Sequence, residues 1–324
     1  MLRRDVDLAA YTHVRIGGRA AVLWEVRSRA ELEGALAWAR AEGAGAPVVI
    51  GGGANLLVHD EVAAPFVLHL DRSFADVREE GGAIVAEAGL PLVRLVRVAV
   101  ARGWSGPERL AGIPGTLGGA VAMNAGIPSF ETFDLVREVR GLDLRGREVR
   151  LTPAELNPGY RRGNLPPGLV VFEVVLERTS GDPTALAAEA RRLKEDRRAK
   201  QPLQLPSFGS TFKNPGPRPA DGDGAAGSGW GEGAAGALLE RAGLKGERRG
   251  DAQLSEMHAN FVVNLGRARS RDVLELMVHA RRTVGRRFGV WLEPEVRMTG
   301  FAPADLAALE ELETPVGAAP GAAS

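Results

Sequence analysis

Near the N-terminus, successive segments have hydrophobic residues spaced first as in a strand, then as in a helix, then again as in a strand. Residues 21–26 (AVLWEV) are typical of a strand, and Ser28 with Glu31 forms a capping pattern that predicts a helix ending near Gly43. The apolar residues 47–51 predict the next strand. Because a strand, a helix and a strand in this order usually form one unit, we predict that the chain begins with α/β structure.

The middle of the chain predicts a second region of mixed helices and strands. An apolar face at Leu92, Leu95 and Val96 predicts a helix that ends at Gly103. Other patterns predict strands at 67–70, 83–88 and 170–177, a hairpin at 136–151 and a charged helix at 183–200. Residues 110–130 contain five glycines and two prolines, so we expect a buried loop and turn there rather than a membrane span.

The C-terminal third predicts a smaller α+β unit. Its patterns indicate helices at 237–242 and 270–288, and strands at 261–265 and 290–298. In the last strand, alternation would place Glu293, Glu295 and Arg297 on one side, where Glu295 and Arg297 are candidates for a surface ion pair. We expect a flexible excursion at the glycine-rich residues 216–236 and fraying after Ala302.

The length of the chain, 324 residues, exceeds the usual size of one hydrophobic core and favours two or three domains. We place them at residues 1–66, 67–199 and 200–299, and leave open whether residues 300–324 join the first domain. The N-terminal residues lack the apolar core of a secretory signal, so the sequence predicts a cytoplasmic protein.

Composition narrows the classes of function. Lysine plus arginine and aspartate plus glutamate both total 41, so the formal net charge is zero. This balance argues against a nucleic-acid or membrane partner, and an anionic ligand would need a local pocket. The chain has no cysteine and its five histidines lack the spacing of metal ligands, so we expect neither a thiolate nor a metal site. Redox chemistry would therefore need a bound cofactor.

Three segments are candidates for carrying chemistry. The glycines of GGGAN at 51–55 suit either a simple turn or a loop whose amides hold a diphosphate. Residues 110–126, with five glycines, suit either close packing or contact with a flat ring. In PSFGSTFKNP at 206–215, Ser210 is either a hydroxyl that caps backbone amides or a proton donor. The residues alone leave these alternatives open.

The order of these motifs resembles the UDP-N-acetylenolpyruvoylglucosamine reductase family. The segments that carry the resemblance, between about residues 8 and 301, are Thr12 with IGGRA, GGGANLLVHD, LAGIPGTLGGAVAMNAG, GYRRG, PSFGSTFKNP, AGALLERAGLKG, LSEMHANFVVN and LEPEVR. The resemblance implies an α+β flavoprotein of three domains, with an FAD-binding fold of the vanillyl-alcohol-oxidase type (PCMH) and a smaller α+β substrate domain. It implies FAD as cofactor, NADPH as co-substrate, and reduction of a UDP-sugar enol ether, enolpyruvyl-UDP-N-acetylglucosamine, to UDP-N-acetylmuramate for peptidoglycan.

The resemblance also implies roles for individual residues. Arg161 would pair with the substrate carboxylate, Glu295 would help to polarise the intermediate, and Ser210 would protonate the carbanion formed by hydride addition, with Lys200 or Lys213 stabilising its alkoxide. The implied FAD-binding residues are Gly51, Gly52, Gly53, Ala54, Asn55 and Leu56 at the diphosphate, and Ile113, Pro114, Gly115, Thr116, Gly118 and Gly119 at the flavin ring. The implied substrate-binding residues are Tyr160, Lys200, Gly209, Lys213 and Asn214.

The chain departs from the family pattern in three places. Ala54 and Gly163 stand where the family commonly has serine, and residues 178–183 leave little room for the tyrosine-bearing loop of the first class, so the chain resembles the second class. Two other functions compete: a flavin-dependent oxidase on the same scaffold, and a non-catalytic protein that binds a flavin or a nucleotide sugar. The motifs PSFGSTFKNP and LEPEVR argue against the oxidase, and the presence of the aligned serine, arginine and glutamate argues against the binding protein.

Overall fold

The computed structural model describes residues 1–61, 64–216 and 231–310, which form a mixed α+β fold. The strands are β1 (Leu2–Asp7), β2 (Arg19–Val26), β3 (Val48–Ile50), β4 (Leu56–Val58), β5 (Ala64–Leu70), β6 (Val77–Glu80), β7 (Ala83–Glu87), β8 (Trp104–Ser105), β9 (Gly126–Ile127), β10 (Phe130–Glu131), β11 (Val136–Leu142), β12 (Glu148–Leu151), β13 (Val170–Leu176), β14 (Thr179–Ser180), β15 (Ser207–Ser210), β16 (Arg248–Arg249), β17 (Ala252–Leu254), β18 (Phe261–Asn264) and β19 (Arg297–Thr299). The α-helices are α1 (Arg29–Ala41), α2 (Leu92–Ala101), α3 (Leu117–Met123), α4 (Pro153–Leu156), α5 (Pro183–Lys200), α6 (Ala235–Arg241), α7 (Ser270–Phe288) and α8 (Pro303–Glu310). Short 3₁₀ helices span Ala9–Tyr11, Pro107–Leu110, Thr132–Asp134 and Gly231–Gly233.

The first sheet has the strand order β1-β2-β5-β3, and helix α1 packs beside it. Strands β2, β5 and β3 are parallel, whereas β1 is antiparallel to β2. The Ser28 hydroxyl accepts a hydrogen bond from the Glu31 amide at 3.2 Å, which caps α1 as the pattern predicted. Leu32 and Leu36 on this helix are buried. The predicted strand, helix and strand are confirmed, and β3 leads directly into the glycines at 51–53.

The second sheet is antiparallel, in the order β12-β11-β13-β7-β6. Every residue of β13 is buried, as expected for a central strand that is covered on both faces. The predicted hairpin at 136–151 forms from β11 and β12. Helix α2 buries Leu92, Leu95 and Val96, and it ends before Gly103, whose φ of +65° favours glycine.

The third sheet has the order β15-β18-β17-β16 and packs against α7. This helix buries an apolar face that includes Val273, Leu276 and Met277, as its period predicted. The same core also takes up Val14 and Leu57 from the N-terminal region. The third sheet is therefore held to the rest of the molecule by a shared hydrophobic core.

Residues 110–130 are not the loop and turn that we expected, because α3 forms within them. Leu117 and Val121 on this helix are fully buried. A Cβ atom at Gly118 would lie 2.9 Å from the Ala88 Cβ, so the missing side chain lets the helix pack closely beside β7. This packing outweighs the low helix propensity of glycine. In the described part of the chain, no helix combines the length and apolar character needed to cross a membrane.

The predicted strand at 290–298 is mostly wrong. Only β19 is a strand, parallel to β4, while Pro294 makes a single bridge to Phe212. A proline has no backbone N–H to donate to a ladder, which accounts for the interruption. The expected fraying after Ala302 is also wrong for α8, which buries Leu309. The remaining predictions of flexibility fall largely on residues 217–230 and 311–324, which lie outside the described residues.

Candidate active site

A cavity of about 1350 Å³ is lined by segments from all three parts of the fold. Of the residues singled out in the sequence, those that line it are Gly51, Gly52, Gly53, Ala54, Asn55, Leu56, Ile113, Pro114, Gly115, Thr116, Gly118, Gly119, Arg161, Gly209, Ser210, Asn214 and Glu295. Tyr160, Lys200 and Lys213 do not belong to the lining. Segments far apart in the chain thus share one cavity.

The glycine loop at 51–53 packs against the loop that contains Gly115. A Cβ atom at Gly52 would lie 2.7 Å from the Gly115 Cα, and one at Gly53 would lie 2.0 Å from the Tyr11 carbonyl oxygen. Gly53 also has a φ of +62°, which L-residues with side chains rarely adopt. Only glycine therefore allows this loop to lie where it does, with its backbone along the cavity.

An enclosed hydroxyl lies beside the glycine loop. A Cβ atom at Gly51 would approach the Thr116 Oγ1 to 2.2 Å, so the threonine occupies the space that a side chain would take. This Oγ1 is buried and has no hydrogen-bond partner within the described ranges. Because buried hydroxyls are normally paired, the atom is suited to hydrogen-bond a ligand. Bare backbone and an unpaired hydroxyl fit a cofactor that carries a diphosphate and a polar ring.

Arg161 and Glu295 form an ion pair on the cavity. The Arg161 Nε donates to the Glu295 Oε1 at 2.9 Å, and its Nη2 donates to the Gly126 carbonyl oxygen at 3.1 Å. The Glu131 Oε1 lies 3.8 Å from the Arg161 Nη1. Arg297 instead directs its Nε to the Met123 sulfur at 3.5 Å, so the alternative of a surface pair between Glu295 and Arg297 is wrong.

Burial dominates the electrostatics of Glu295. Its side chain is 15 % exposed, and burial raises the pKa of the carboxyl above its ordinary value, although Arg161 acts in the opposite direction. A carboxyl with a raised pKa keeps its proton at higher pH than a free glutamate does. Such a shift beside a cation in a cavity is typical of functional sites.

Ser210 lies at the end of β15, directly after Gly209, which has a φ of +83°. The next residues run beside the segment that carries Glu295, because the Glu295 amide donates to the Thr211 carbonyl oxygen at 2.8 Å. The Asn260 side chain holds the backbone of Phe212 through two hydrogen bonds, of 2.9 and 2.8 Å. No described group hydrogen-bonds to the Ser210 hydroxyl. This hydroxyl is thus free to act on a ligand.

Asn55 connects the glycine loop to the segment of Glu295. Its Nδ2 donates to the Glu295 carbonyl oxygen at 3.0 Å, and its own carbonyl oxygen accepts from the Arg297 amide at 3.1 Å. The segments 51–55, 210–213 and 293–297 are therefore fixed to one another by hydrogen bonds. Segments from the N-terminal and C-terminal regions of the described chain therefore meet at this site.

The implied substrate residues outside the lining flank the cavity. The Tyr160 hydroxyl accepts from the Asn214 amide at 3.5 Å, and burial raises its pKa. The Lys213 Nζ lies 3.4 Å from the Glu293 Oε2. Lys200 is exposed at the end of α5 and pairs with Asp196 at 2.5 Å. The roles of these three residues remain predictions.

Besides Arg161 and Glu295, the lining contains charged residues that sequence reasoning missed. It holds the five arginines Arg15, Arg161, Arg162, Arg197 and Arg297 but only the two carboxylates Asp196 and Glu295. A chain of zero net charge thus has a strongly basic cavity, which attracts anions such as diphosphates. Apart from Arg161 these arginines carry no distinguishing local motif, since their role depends on contacts between distant segments.

Comparison with known proteins identifies the family. Residues 201–299 match the family model for the C-terminal domain of UDP-N-acetylenolpyruvoylglucosamine reductase, and residues 20–152 match a model for an FAD binding domain. A UDP-N-acetylenolpyruvoylglucosamine reductase of Synechococcus sp. (strain JA-3-3Ab) is 42 % identical, over 92 % of this chain and 91 % of the relative. The chain belongs to the UDP-N-acetylenolpyruvoylglucosamine reductase family.

Two further members of the reductase family extend this result. The reductase of Anaeromyxobacter dehalogenans (strain 2CP-C) is 44 % identical over 99 % of this chain and 92 % of the relative. The crystal structure of UDP-N-acetylenolpyruvylglucosamine reductase from Thermus caldophilus superposes with a TM-score of 0.74 at 36 % identity, covering 92 % of this chain and 100 % of that one. The predicted family and the predicted α+β flavoprotein fold are therefore confirmed. The chain is an oxidoreductase of peptidoglycan synthesis with an FAD-binding domain, whereas its assignment to the second class of the reductase family remains a prediction.

Proposed function

We propose that the chain uses NADPH to reduce enolpyruvyl-UDP-N-acetylglucosamine to UDP-N-acetylmuramate, with FAD bound in the cavity. The names of its relatives support this choice of substrate. The observation that carries the proposal is the contact of 2.9 Å between Arg161 and Glu295 on the same cavity as Ser210. A cation, a buried carboxyl and a free hydroxyl are the groups needed to reduce a double bond that is conjugated to a carboxylate.

The glycine loop and Thr116 would hold FAD. The backbone of Gly51, Gly52 and Gly53 lies open along the cavity and suits the diphosphate, with Ala54, Asn55 and Leu56 completing that wall. The unpaired hydroxyl of Thr116 suits a polar edge of the ring. When bound, FAD would supply the hydride that it has received from NADPH.

Arg161 would bind the carboxylate of the enolpyruvyl group. Hydride addition to the terminal carbon pushes negative charge into this carboxylate, so a fixed cation stabilises the transition state more than the ground state. The planar guanidinium suits a carboxylate, and its contacts with Glu295 and Gly126 already fix its orientation. Glu295, which contacts Arg161 at 2.9 Å, would help to polarise the intermediate.

Ser210 would deliver the proton that completes the reduction. Its hydroxyl is an acceptable donor only if a neighbouring cation or hydrogen-bond relay stabilises the alkoxide. Lys213 and Lys200 both stay our candidates for this support; each also has a carboxylate neighbour, Glu293 at 3.4 Å from Lys213 and Asp196 at 2.5 Å from Lys200. The UDP group would take its hydrogen bonds from Tyr160, Gly209 and Asn214, and its charge would be met by the arginine-rich lining.

The colour of the protein tests the proposal in two separable steps. Purified protein supplied with FAD should be yellow, and NADPH added without oxygen should bleach it. Enolpyruvyl-UDP-N-acetylglucosamine should then restore the colour, while UDP-N-acetylglucosamine, which lacks the enol ether, should not. Protein that binds no FAD, or that stays bleached with the enol ether, contradicts the proposal.

The rate at which air restores the colour of the bleached protein distinguishes the reductase from the competing oxidase. If the chain were an oxidase, air would restore the colour of the bleached protein as fast as the sugar nucleotide does. A non-catalytic binding protein would bind FAD without bleaching in NADPH. The arrangement of Arg161, Glu295 and Ser210 favours the reductase over both, because neither alternative requires these three groups on one cavity.

A further inference from the structure

The hairpin of β9 and β10 provides two of the groups that surround Arg161. Gly126 and Glu131 lie opposite each other in this hairpin. The Gly126 carbonyl oxygen accepts from the Arg161 Nη2 at 3.1 Å, and the Glu131 Oε1 lies 3.8 Å from the Nη1. A Cβ atom at residue 126 would lie 2.2 Å from the Phe130 carbonyl oxygen, so glycine allows the two strands to lie this close. One pair of opposite residues therefore faces both terminal nitrogens of the guanidinium.

Asn124 links this hairpin to the turn that carries Arg161. Its Nδ2 donates to the Glu131 Oε2 at 2.9 Å and to the Gly159 carbonyl oxygen at 3.1 Å. Gly159 begins the turn GYRR, which closes through two backbone hydrogen bonds between Gly159 and Arg162, of 2.8 and 3.0 Å. Asn124 is 2 % exposed and has a φ of +43°, a left-handed conformation that asparagine tolerates better than most residues. The same amide group thus fixes the carboxylate that faces Arg161 and the backbone from which Arg161 extends.

Neither Asn124 nor Glu131 is among the described residues that line the cavity, whereas Arg161 is. The Glu131 side chain is 14 % exposed, so its carboxylate reaches the guanidinium from the protein interior rather than through the cavity. Glu295 accepts from the remaining nitrogen, Nε, at 2.9 Å. Because fixed groups face all three nitrogens, the guanidinium is already oriented, and no free energy is spent on turning it when charge develops on a ligand.

We propose that Glu131 is a positioning residue, which together with Asn124 fixes the plane of the Arg161 guanidinium so that it faces the substrate carboxylate. This inference rests on the proposed function, because it takes that carboxylate as the ligand of Arg161. Glu131 acts only through Arg161. Its effect therefore belongs to the second half-reaction, in which charge develops on the carboxylate, and not to the binding of FAD or its reduction by NADPH.

Three variants separate the orientation of Arg161 from support of the hairpin. E131A removes the carboxylate, and E131Q keeps its shape without the charge. D134A is the matched control, because Asp134 accepts from the Glu131 amide at 2.7 Å and so supports the same turn, whereas its described hydrogen bonds do not include Arg161. For each variant we would measure the dissociation constant of FAD, the rate of bleaching with NADPH, and the rate of recolouring at saturating enolpyruvyl-UDP-N-acetylglucosamine. Thermal unfolding reports whether each variant is folded.

E131A should bind FAD and bleach as the parent does but recolour about 10- to 100-fold more slowly, because a misplacement of about 1 Å costs up to about 10² in rate. E131Q should lie between E131A and the parent, and D134A should match the parent. Equal slowing in E131A and D134A would mean that the turn matters and not the carboxylate, and it would overturn the proposal. Faster recolouring in E131Q would overturn it too, because Glu131 would then compete with the substrate for Arg161. Recolouring of E131A at the parental rate is the third contrary result.

A second substitution, R161Q, shows whether Glu131 acts through Arg161. If it does, its removal has nothing left to act on, so the double variant R161Q/E131A should recolour within about twofold of R161Q alone. The same slowing with and without Arg161 would assign Glu131 a separate structural role and overturn the proposal. If E131A does not fold, E131Q takes its place in both comparisons. The proposed function fails by a different result, namely a parent protein that binds no FAD or does not recolour with the enol ether.

Discussion

Glu295 is the residue on which opposing electrostatic effects meet. Burial raises its pKa, while Arg161, Lys213 and Arg197 act to lower it, and burial prevails. The sequence motif LEPEVR pointed to Glu295, but the predicted strand alternation paired it with the wrong arginine. Its true partner, Arg161, is separated by 134 positions along the chain, a distance at which no local pattern operates.

The raised pKa of Glu295 predicts a pH dependence of stability. In the window above the ordinary glutamate value of 4.5 and below the raised one, the folded chain holds a proton that the unfolded chain has lost. The free energy of unfolding therefore falls as pH rises through this window, and the contribution is fully present only below it. Urea unfolding at a series of pH values should show a shallower fall in E295Q than in the parent.

E293Q is the matched control, because Glu293 is two positions away and its side chain is 75 % exposed. It should keep the parental slope. A slope in E295Q equal to that of the parent would mean that burial of this carboxyl has no net effect on its proton.

Ser210 allows the two half-reactions to be separated. S210A should bind FAD and bleach with NADPH at the parental rate, because that step needs no proton from the hydroxyl. The return of colour with the enol ether should slow by about 10² to 10⁴, the usual contribution of a positioned proton donor. Stopped-flow absorbance measures both phases. S180A, at an exposed serine of β14, should affect neither, and equal slowing of both phases in S210A would contradict the role.

Elements with a clear period were predictable, and those decided by distant contacts were not. Helix α7 forms at the predicted residues because its apolar face repeats over five turns. Helix α3 was missed because its glycines are unfavourable in isolation and become favourable only against Ala88. The strand predicted at 290–298 was shortened to β19 because β4 is its only described neighbour and Pro294 interrupts the ladder.

Replacing glycine by alanine should have opposite effects inside the glycine loop and on helix α1. G53A should abolish FAD binding or weaken it at least about 100-fold, which corresponds to about 3 kcal/mol. The reason is that the new Cβ would lie 2.0 Å from the Tyr11 carbonyl oxygen, at a residue with a positive φ. G34A, on α1 with nothing within 4 Å, should bind FAD normally and be more stable by about 1 kcal/mol. Fluorescence titration and urea unfolding measure the two quantities. Normal FAD affinity in G53A would show that the loop tolerates a side chain.

The chain as a whole has no net charge, but the charged residues that line its cavity are mainly basic. Composition predicted that an anion would need a local pocket, and the cavity provides one, but no count of residues could place its arginines. The predicted domain boundaries also stay predictions. The core of the third sheet includes Val14 and Leu57, which lie in the first predicted domain. Packing thus joins regions that the sequence pattern separates.

The basic cavity predicts that FAD binding depends on salt. Raising KCl from about 0.1 to about 1 M shortens the Debye length from about 10 to about 3 Å and should weaken FAD binding by roughly three- to tenfold. Riboflavin is the matched control ligand, because it has the same ring without the diphosphate. Its dissociation constant, measured by the same fluorescence titration, should change little. Equal salt dependence for both ligands would contradict electrostatic attraction of the diphosphate.

The parallel pairing of β4 with β19 has a consequence for synthesis of the protein. A ribosome that has completed α7 has already made every glycine of the cofactor loop and the serine of PSFGST. It has made neither Glu295 nor the strand whose amide holds Asn55. We therefore expect flavin capture to wait until translation is nearly finished, and a polypeptide released early to carry most of the site yet remain colourless.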